Sequence, residues 1–198
     1  MENKTYTLNL EGKTFIVELN NWADQAHGSV LVRLGDTIVL ATAVMSPHPR
    51  EGGGDFFPLS VDYEEKFYAT GKILGSRFMK RESRPSEEAI LVSRLIDRSI
   101  RPRFDMRIRN EVQIIITVLS IDDENDPDVP ALLGASLALS LSDIPWAGPI
   151  AGVRVSHPAP NVGGGARKLL LNPIYTEREG ATLDAIISGT AERINMLN

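Results

Sequence analysis

The sequence predicts an α/β (α+β) domain in which strands at both ends of the chain enclose two helices. Three observations carry this. Runs rich in β-branched residues fill the first third. The apolar period changes to that of a helix after Pro85 and again after Pro127. Short apolar runs punctuated by glycine and proline return after Pro145. With 198 residues, 42% of them hydrophobic, the chain can bury a real core. Residues 1–145 are expected to form the core of one domain, and 146–198 the truncated C-terminal part of the same domain.

TFIVEL at 14–19, SVLVRL at 29–34 and TIVLATAVM at 37–45 read as strands, and Gly35-Asp36 between the last two marks a hairpin. Pro47 to Gly54 reads as a loop, and FFPLSVDYEE at 56–65 as a further strand. From Pro85 to Ile100, Ala89, Val92, Leu95, Ile96 and Ser99 share a helical face. Pro85, Glu87 and Glu88 suit the first turn, and Arg101-Pro102 closes the helix. EVQIIITVLSI at 111–121 is a buried strand by its apolar run. Asn125-Asp126-Pro127 offers a cap for a second helix reaching Ser142, with Leu133, Leu137 and Leu141 on one face. Strands return at 151–156, 168–172 and 182–188, with a glycine-rich loop at 161–165. After Gly189-Thr190 the residues ERINMLN read as an element cut as it begins, so a fragment is expected.

Composition removes several kinds of chemistry. There are no cysteines, hence no disulfides, thiolate zinc sites or thiol nucleophiles. No apolar stretch is long enough to span a bilayer, and the N-terminus lacks a signal-peptide core, so a cytoplasmic protein is the simplest reading. His27, His48 and His157 are scattered, the glycine-rich stretches lack a phosphate-loop ending, and Ser140 and Ser142 lack a nucleophile-elbow context. The acidic run Asp122, Asp123, Glu124, Asp126, Asp128 lacks the glycine and distal glutamate of a calcium loop and is better explained as a strand-to-helix connection. No catalytic or metal-ligating set emerges.

Charge is more informative. The net charge is -5, yet residues 77–109 hold ten basic and five acidic side chains, making that segment +5 and the remainder -10. Arg94, Arg98 and Arg101 stand at i, i+4 and i+7 on one helical face. Just before them, Arg77, Phe78, Met79, Lys80, Arg81 and Arg84 mix cations with an aromatic, the combination that contacts phosphates and stacks on single-stranded bases. The competing reading is a solvated helix whose arginines pair with Glu87, Glu88 and Asp97. Loop and helix taken together favour nucleic-acid binding.

Four stretches, GDTIVLATAV at 35–44, DFFPLSVDYEEKFYATGKILG at 55–75, RPSEEAILVSRLIDRSIRPRF at 84–104 and NDPDVPALLGASLALSLSDIPWAGPI at 125–150, identify a family resemblance covering the chain from about Gly12 onward. The chain closely resembles the N-terminal ribonuclease PH-like domain of the bacterial polynucleotide phosphorylases (polyribonucleotide nucleotidyltransferases). The resemblance implies a ribonuclease PH-like, ribosomal protein S5 domain 2-like fold, a mixed sheet packed against helices. It implies an exoribonuclease that degrades RNA, mRNA included, from the 3′ end. The enzyme uses inorganic phosphate, releases nucleoside diphosphates, and works as a homotrimeric ring with no membrane attachment.

Phosphate site and magnesium (Mg2+) ligands are implied to lie in a second such domain, so no catalytic or metal residue is carried over and this segment alone is expected to be inactive. Here Asp126-Pro127-Asp128-Val129-Pro130 stands where an active domain presents its phosphate loop. The family's channel loop, two aromatics followed by two basic residues, falls on Phe78-Met79-Lys80-Arg81, with Met79 departing from the second aromatic. Phe78, Lys80 and Arg81 are therefore the foremost RNA-contacting candidates, followed by Arg84, Arg94, Arg98 and Arg101. The alternatives are a noncatalytic exosome-like ring subunit and a stand-alone ribonuclease PH.

Overall fold

The computed structural model describes residues 4–19, 22–50, 56–73, 84–157 and 169–198. β1 (Lys4–Leu10) alternates Tyr6, Leu8 and Leu10 with threonines and Asn9, and turns through Glu11-Gly12 into β2 (Lys13–Leu19). β3 (Gly28–Leu34) and β4 (Thr37–Pro49) form the hairpin expected at Gly35-Asp36. β4 runs further than its sequence suggests. A register shift after Met45 lets it pass Pro47, and Pro49 faces Asn110 where a loop was expected.

β5 (Leu59–Glu65) and β6 (Asn110–Ser120) lie parallel, so the chain must cross over between them, and α1 (Glu87–Ile100) makes that crossing. The resulting six-stranded sheet has the order β1-β2-β3-β4-β6-β5, antiparallel except for its last pair. Val30, Val32, Val39, Ala41, Ala43, Val112, Ile114, Ile116 and Val118 line one face and are fully buried. Ala89, Leu95, Ile96 and Ser99 of α1 are buried as the helical period requires, with Ile100 beside them.

A second, antiparallel sheet of β7 (Ala151–His157), β8 (Leu170–Leu171), β9 (Leu183–Gly189) and β10 (Ile194–Leu197) has the order β10-β9-β7-β8. A single helical turn, α3 (Tyr175–Arg178), separates β8 from β9. The terminal segment expected to be cut short is a paired strand, with Met196 opposite Ser188 and Leu197 opposite Ile187. This sheet meets α1 through polar contacts: the buried hydroxyls of Ser99 and Ser188 lie 2.7 Å apart, and Asn195 Nδ2 donates to the Ser99 carbonyl at 3.4 Å.

Between the sheets runs α2 (Asp128–Leu141), packed on β3 and β4 on one side and on β7 on the other. The face expected to be buried is the one that is not. Leu133 and Leu137 are only partly buried and Leu141 is exposed, whereas Leu132, Ala135, Ser136, Ala138 and Leu139 are enclosed. A helix squeezed between two sheets is enclosed on more than one side, so Leu132 and Leu139 are buried among small residues while Leu133 and Leu137 pack at the edge of the core. Glycines on the strands supply the remaining clearance. A Cβ on Gly28 of β3 would lie 2.1 Å from the Ala138 carbonyl oxygen, and one on Gly152 of β7 would lie 2.2 Å from the Leu132 Cδ2 methyl.

Asp122 fixes where α2 begins. Its Oδ1 accepts the backbone N–H groups of Glu124 (2.9 Å) and Asn125 (2.5 Å), and its Oδ2 accepts the Asp36 N–H (2.9 Å) and Asn125 Nδ2 (2.9 Å). Gly35, with φ of 62°, has no room for a Cβ, which would come 2.6 Å from Asn125 Nδ2 and 2.7 Å from Asp122 Oδ2. Asn125 also accepts from Lys13 Nζ at 3.2 Å, so it ties the loop to the hairpins instead of capping the helix as expected. Pro127 holds the cap position without a side-chain bond, and Asp126 accepts the Asp128 N–H at 3.3 Å.

Gly28→Ala should destabilise the protein by roughly 1–3 kcal/mol, because backbone must move. Gly152→Ala should cost less, because only a methyl must turn aside; equal losses in denaturant unfolding would refute this packing. Burial alone would raise the Asp122 carboxyl, but donors from Asn125, Glu124 and Asp36 hold it at about 2. Its contribution is therefore present above the ordinary value of 3.8 and lost as pH falls toward 2, so Asp122→Asn should flatten the acid limb of a stability-against-pH curve.

Candidate nucleic-acid interface

The start of α1 is held by Ser86, whose Oγ accepts the Ala89 N–H at 3.0 Å and donates to Glu65 Oε2 at 3.0 Å. That cap orients the helix so that Arg94 and Arg98 project outward with Ile90 and Leu91, while Arg84 is exposed just ahead of it. None of these three arginines is hydrogen-bonded or ion-paired with the described residues, and neither Glu87 nor Glu88 neutralises them. Phe78, Lys80 and Arg81, with their neighbours Arg77 and Met79, lie outside the described residues.

The remaining basic residues of the island face inward or pair locally. Arg101 donates to Asp97 Oδ1 at 2.6 Å and Oδ2 at 3.1 Å, and to the carbonyls of Phe57 and Leu59 at 3.2 Å each. Its guanidinium carbon also lies 5.9 Å from the centre of the Phe57 ring, which packs on Phe104. Arg101 thus fastens the end of α1 to the start of β5. Arg103 donates to the Ala147 carbonyl, Arg107 pairs with Asp105 at 2.7 Å, and Arg109 donates to the carbonyls of Met106 and Ile108. Among the described residues of the island, Arg84, Arg94 and Arg98 are the cations bonded to no other group, while Arg103 and Arg109, bonded to neutral carbonyls, keep their charge but are held in place.

A second charged assembly escaped sequence reasoning. Asp126, Asp128, Arg154, Arg178 and Asp184 converge where α2, β7, α3 and β9 meet, at side-chain exposures of 15–29%. Asp126 Oδ2 accepts from Arg154 Nη1 and, at 2.7 Å, from Arg178 Nη1. Asp184 accepts from Arg154 Nε at 2.9 Å and from Arg178 Nε at 3.0 Å, while Asp128 Oδ2 lies 3.6 Å from Arg154. Burial, then the neighbouring Asp126, pushes the Asp128 carboxyl up to about 7. Arg178 also lies over the Tyr175 ring, 5.3 Å from its centre.

A cavity of about 1020 Å³ opens beside this cluster, lined by Tyr63, Glu65, Arg84, Ser86, Asp128 and Arg178 among others. The carboxylates here already hold guanidiniums, which repel a divalent cation, so the corner does not suit the magnesium implied by the resemblance. It also does not suit a phosphate, because the aspartates stand in front of the arginines.

The mixed sheet with its crossover helix and the second sheet closing over α2 define a ribonuclease PH-like α+β fold. Residues 11–145 match the model of the 3′ exoribonuclease family, domain 1. Over 194 residues the chain is 53% identical to a polyribonucleotide nucleotidyltransferase of Alkaliphilus oremlandii, covering 98% of this chain and 26% of that protein. It is 49% identical over 197 residues to the polyribonucleotide nucleotidyltransferase of Streptococcus thermophilus, covering 100% of this chain and 25% of that protein. The chain therefore belongs to the 3′ exoribonuclease family and corresponds to the N-terminal ribonuclease PH-like region of polyribonucleotide nucleotidyltransferases. It spans about a quarter of the length of the curated relatives it matches.

Two solved structures share the fold at 20% identity. An Archaeoglobus fulgidus exosome with RNA bound to the active site gives a TM-score of 0.66 over 93% of this chain and 76% of that one. An archaeal exosome core gives 0.62 over 93% and 73%.

Arg101→Ala should lower stability by roughly 1–3 kcal/mol, because two carbonyls and a carboxylate lose their charged donor. Arg98→Ala, at an exposed position without a partner, should stay within about 0.5 kcal/mol of wild type. Thermal unfolding of the two variants side by side checks the distinction, and equal effects would contradict it.

Proposed function

We propose that this chain is the RNA-guiding domain of a phosphate-dependent 3′-to-5′ exoribonuclease that releases nucleoside diphosphates and acts in mRNA degradation in the cytoplasm. The observation that carries this reading is that Arg84, just ahead of α1, and Arg94 and Arg98, on its exposed side, have no partner among the described residues and follow the Phe78–Arg81 segment in sequence. Cations left without internal partners are available to phosphates, and a preceding aromatic can stack on an unpaired base. Phe78, Lys80 and Arg81 contact RNA in this reading, Arg84, Arg94 and Arg98 extend the track, and Arg101 positions the helix that bears them. Phosphorolysis and its magnesium belong to a second ribonuclease PH-like domain of the same polypeptide, and three such polypeptides form the ring. Residues 1–145 and 146–198 act as one domain, a division supported by the packing of α2 on both sheets. No described helix is long and apolar enough to cross a membrane.

A noncatalytic ring subunit is the second reading, favoured by the aspartates that fill the corner at the start of α2. Phosphorolysis by the intact protein separates the two, while robust activity from residues 1–198 alone would overturn both in favour of a stand-alone ribonuclease PH. In the intact protein, Arg94→Ala and Arg98→Ala should each reduce the slope of log affinity against log salt by about 0.7 on single-stranded RNA. Lys80→Ala and Arg81→Ala should act likewise, and Phe78→Ala should weaken binding by roughly 1–3 kcal/mol. Unchanged slopes and affinity across this series would sink the RNA-guiding role.

A further inference from the structure

Among the described residues, the charge cluster at the start of α2 is unbalanced if every group is ionised, since Asp126, Asp128 and Asp184 are paired with Arg154 and Arg178. One proton removes the mismatch: three carboxylates that share one added proton carry -2, against +2 on the arginines. The geometry shows where that proton sits. Asp126 and Asp184 each accept from both guanidiniums, and Asp128 is left with a single contact of 3.6 Å. The Asp128 N–H donates to Asp126 Oδ1 at 3.3 Å, which holds the two carboxyl groups at one corner. Two carboxylates held side by side out of water repel when both are ionised, and one proton shared by the pair relieves this.

The cavity beside the pair is also lined by Lys66, Lys72 and Arg84, but among the described residues the cations paired with these carboxylates are Arg154 and Arg178. β5 contributes Tyr63 and Glu65, and α3 contributes Tyr175 beside Arg178. Burial and the nearby carboxylates push the Tyr63 phenol upward, so it stays neutral, and its buried hydroxyl has no hydrogen-bond partner. Glu65 adds negative charge and accepts from Ser86. Meanwhile the arginines join elements far apart in the chain: Arg154 stands on β7, Arg178 on α3 and Asp184 on β9.

We propose that the Asp126–Asp128 pair is a proton-linked latch. With one shared proton the cluster is balanced and clamps α3 and β9 to the start of α2; loss of that proton loosens the clamp. Asp128 is an acid whose folded-state affinity for the proton is raised, so the sign is opposite to that of Asp122. Its hold is complete below the ordinary value of 3.8 and fades as pH rises through about 7.

Hydrogen exchange of the intact protein, followed by peptide between pH 5 and pH 8 and corrected for the intrinsic rate, tests this. Opening of the segment 170–189 should increase by roughly tenfold or more over that range, while the segment 104–110, which shares no hydrogen bond or ion pair with the cluster's described residues, stays constant. Asp128→Asn puts a neutral amide where the protonated carboxyl stands and should make the segment's protection independent of pH. A wild-type segment whose opening does not change with pH would overturn the proposal without recourse to any variant. So would an Asp128→Asn protein that keeps the wild-type pH dependence, or one that fails to fold, since the amide stands in for the protonated acid.

Discussion

A helix with a sheet on each side has almost no solvent-facing surface to give to large or polar residues, and α2 is built to that constraint. Alanine, serine and glycine share the enclosed positions with Leu132 and Leu139, and the strands themselves carry Gly28 and Gly152 where the approach is closest. Everything else follows from where this helix lies. The six-stranded sheet buries its valine and isoleucine face beneath it, the second sheet is held against its other side, and the loop that introduces it must be fixed with equal care. Asp122 does this by binding that loop to the turn at Gly35-Asp36, so one side chain aligns the hairpin, the central strand and the helix together.

The arginines divide by partner. Those with a carboxylate or carbonyl within reach are structural, whatever their position in the sequence, and they include Arg101, Arg154 and Arg178. Those on the outer side of α1 have no such partner among the described residues and add to the local positive field. Net charge along a segment does not say which cations are available to an anion, because it does not separate arginines held by carboxylates and carbonyls from those left exposed.

Much of the architecture was legible because local patterns dictate it. The β3–β4 hairpin, the crossover helix and its buried face follow from period and turn chemistry alone. β1 was missed although Tyr6, Leu8 and Leu10 alternate, because its surroundings are polar and nearly every residue is exposed. The face of α2 was misjudged because leucine is the stronger apolar signal, whereas clearance between two sheets selects for small volume. The site was legible in part. Arg94, Arg98 and Arg101 stand out by spacing and Arg84 by the cations before it, but the carbonyl partners of Arg101 lie 42 and 44 residues away, and Arg178 meets Asp126 across 52 residues. Such pairings are made by the tertiary fold, and no local pattern announces them.

The contact between Ser99 and Ser188 carries one more implication. The Ser99 hydroxyl donates to the Leu95 carbonyl at 2.8 Å and so accepts from Ser188, 2.7 Å away, and an apolar replacement at position 99 strands the Ser188 hydroxyl. Drift at these two positions should therefore be correlated across descendants of this sequence, with exchanges occurring jointly, while Arg94 and Arg98 remain free to vary independently of one another.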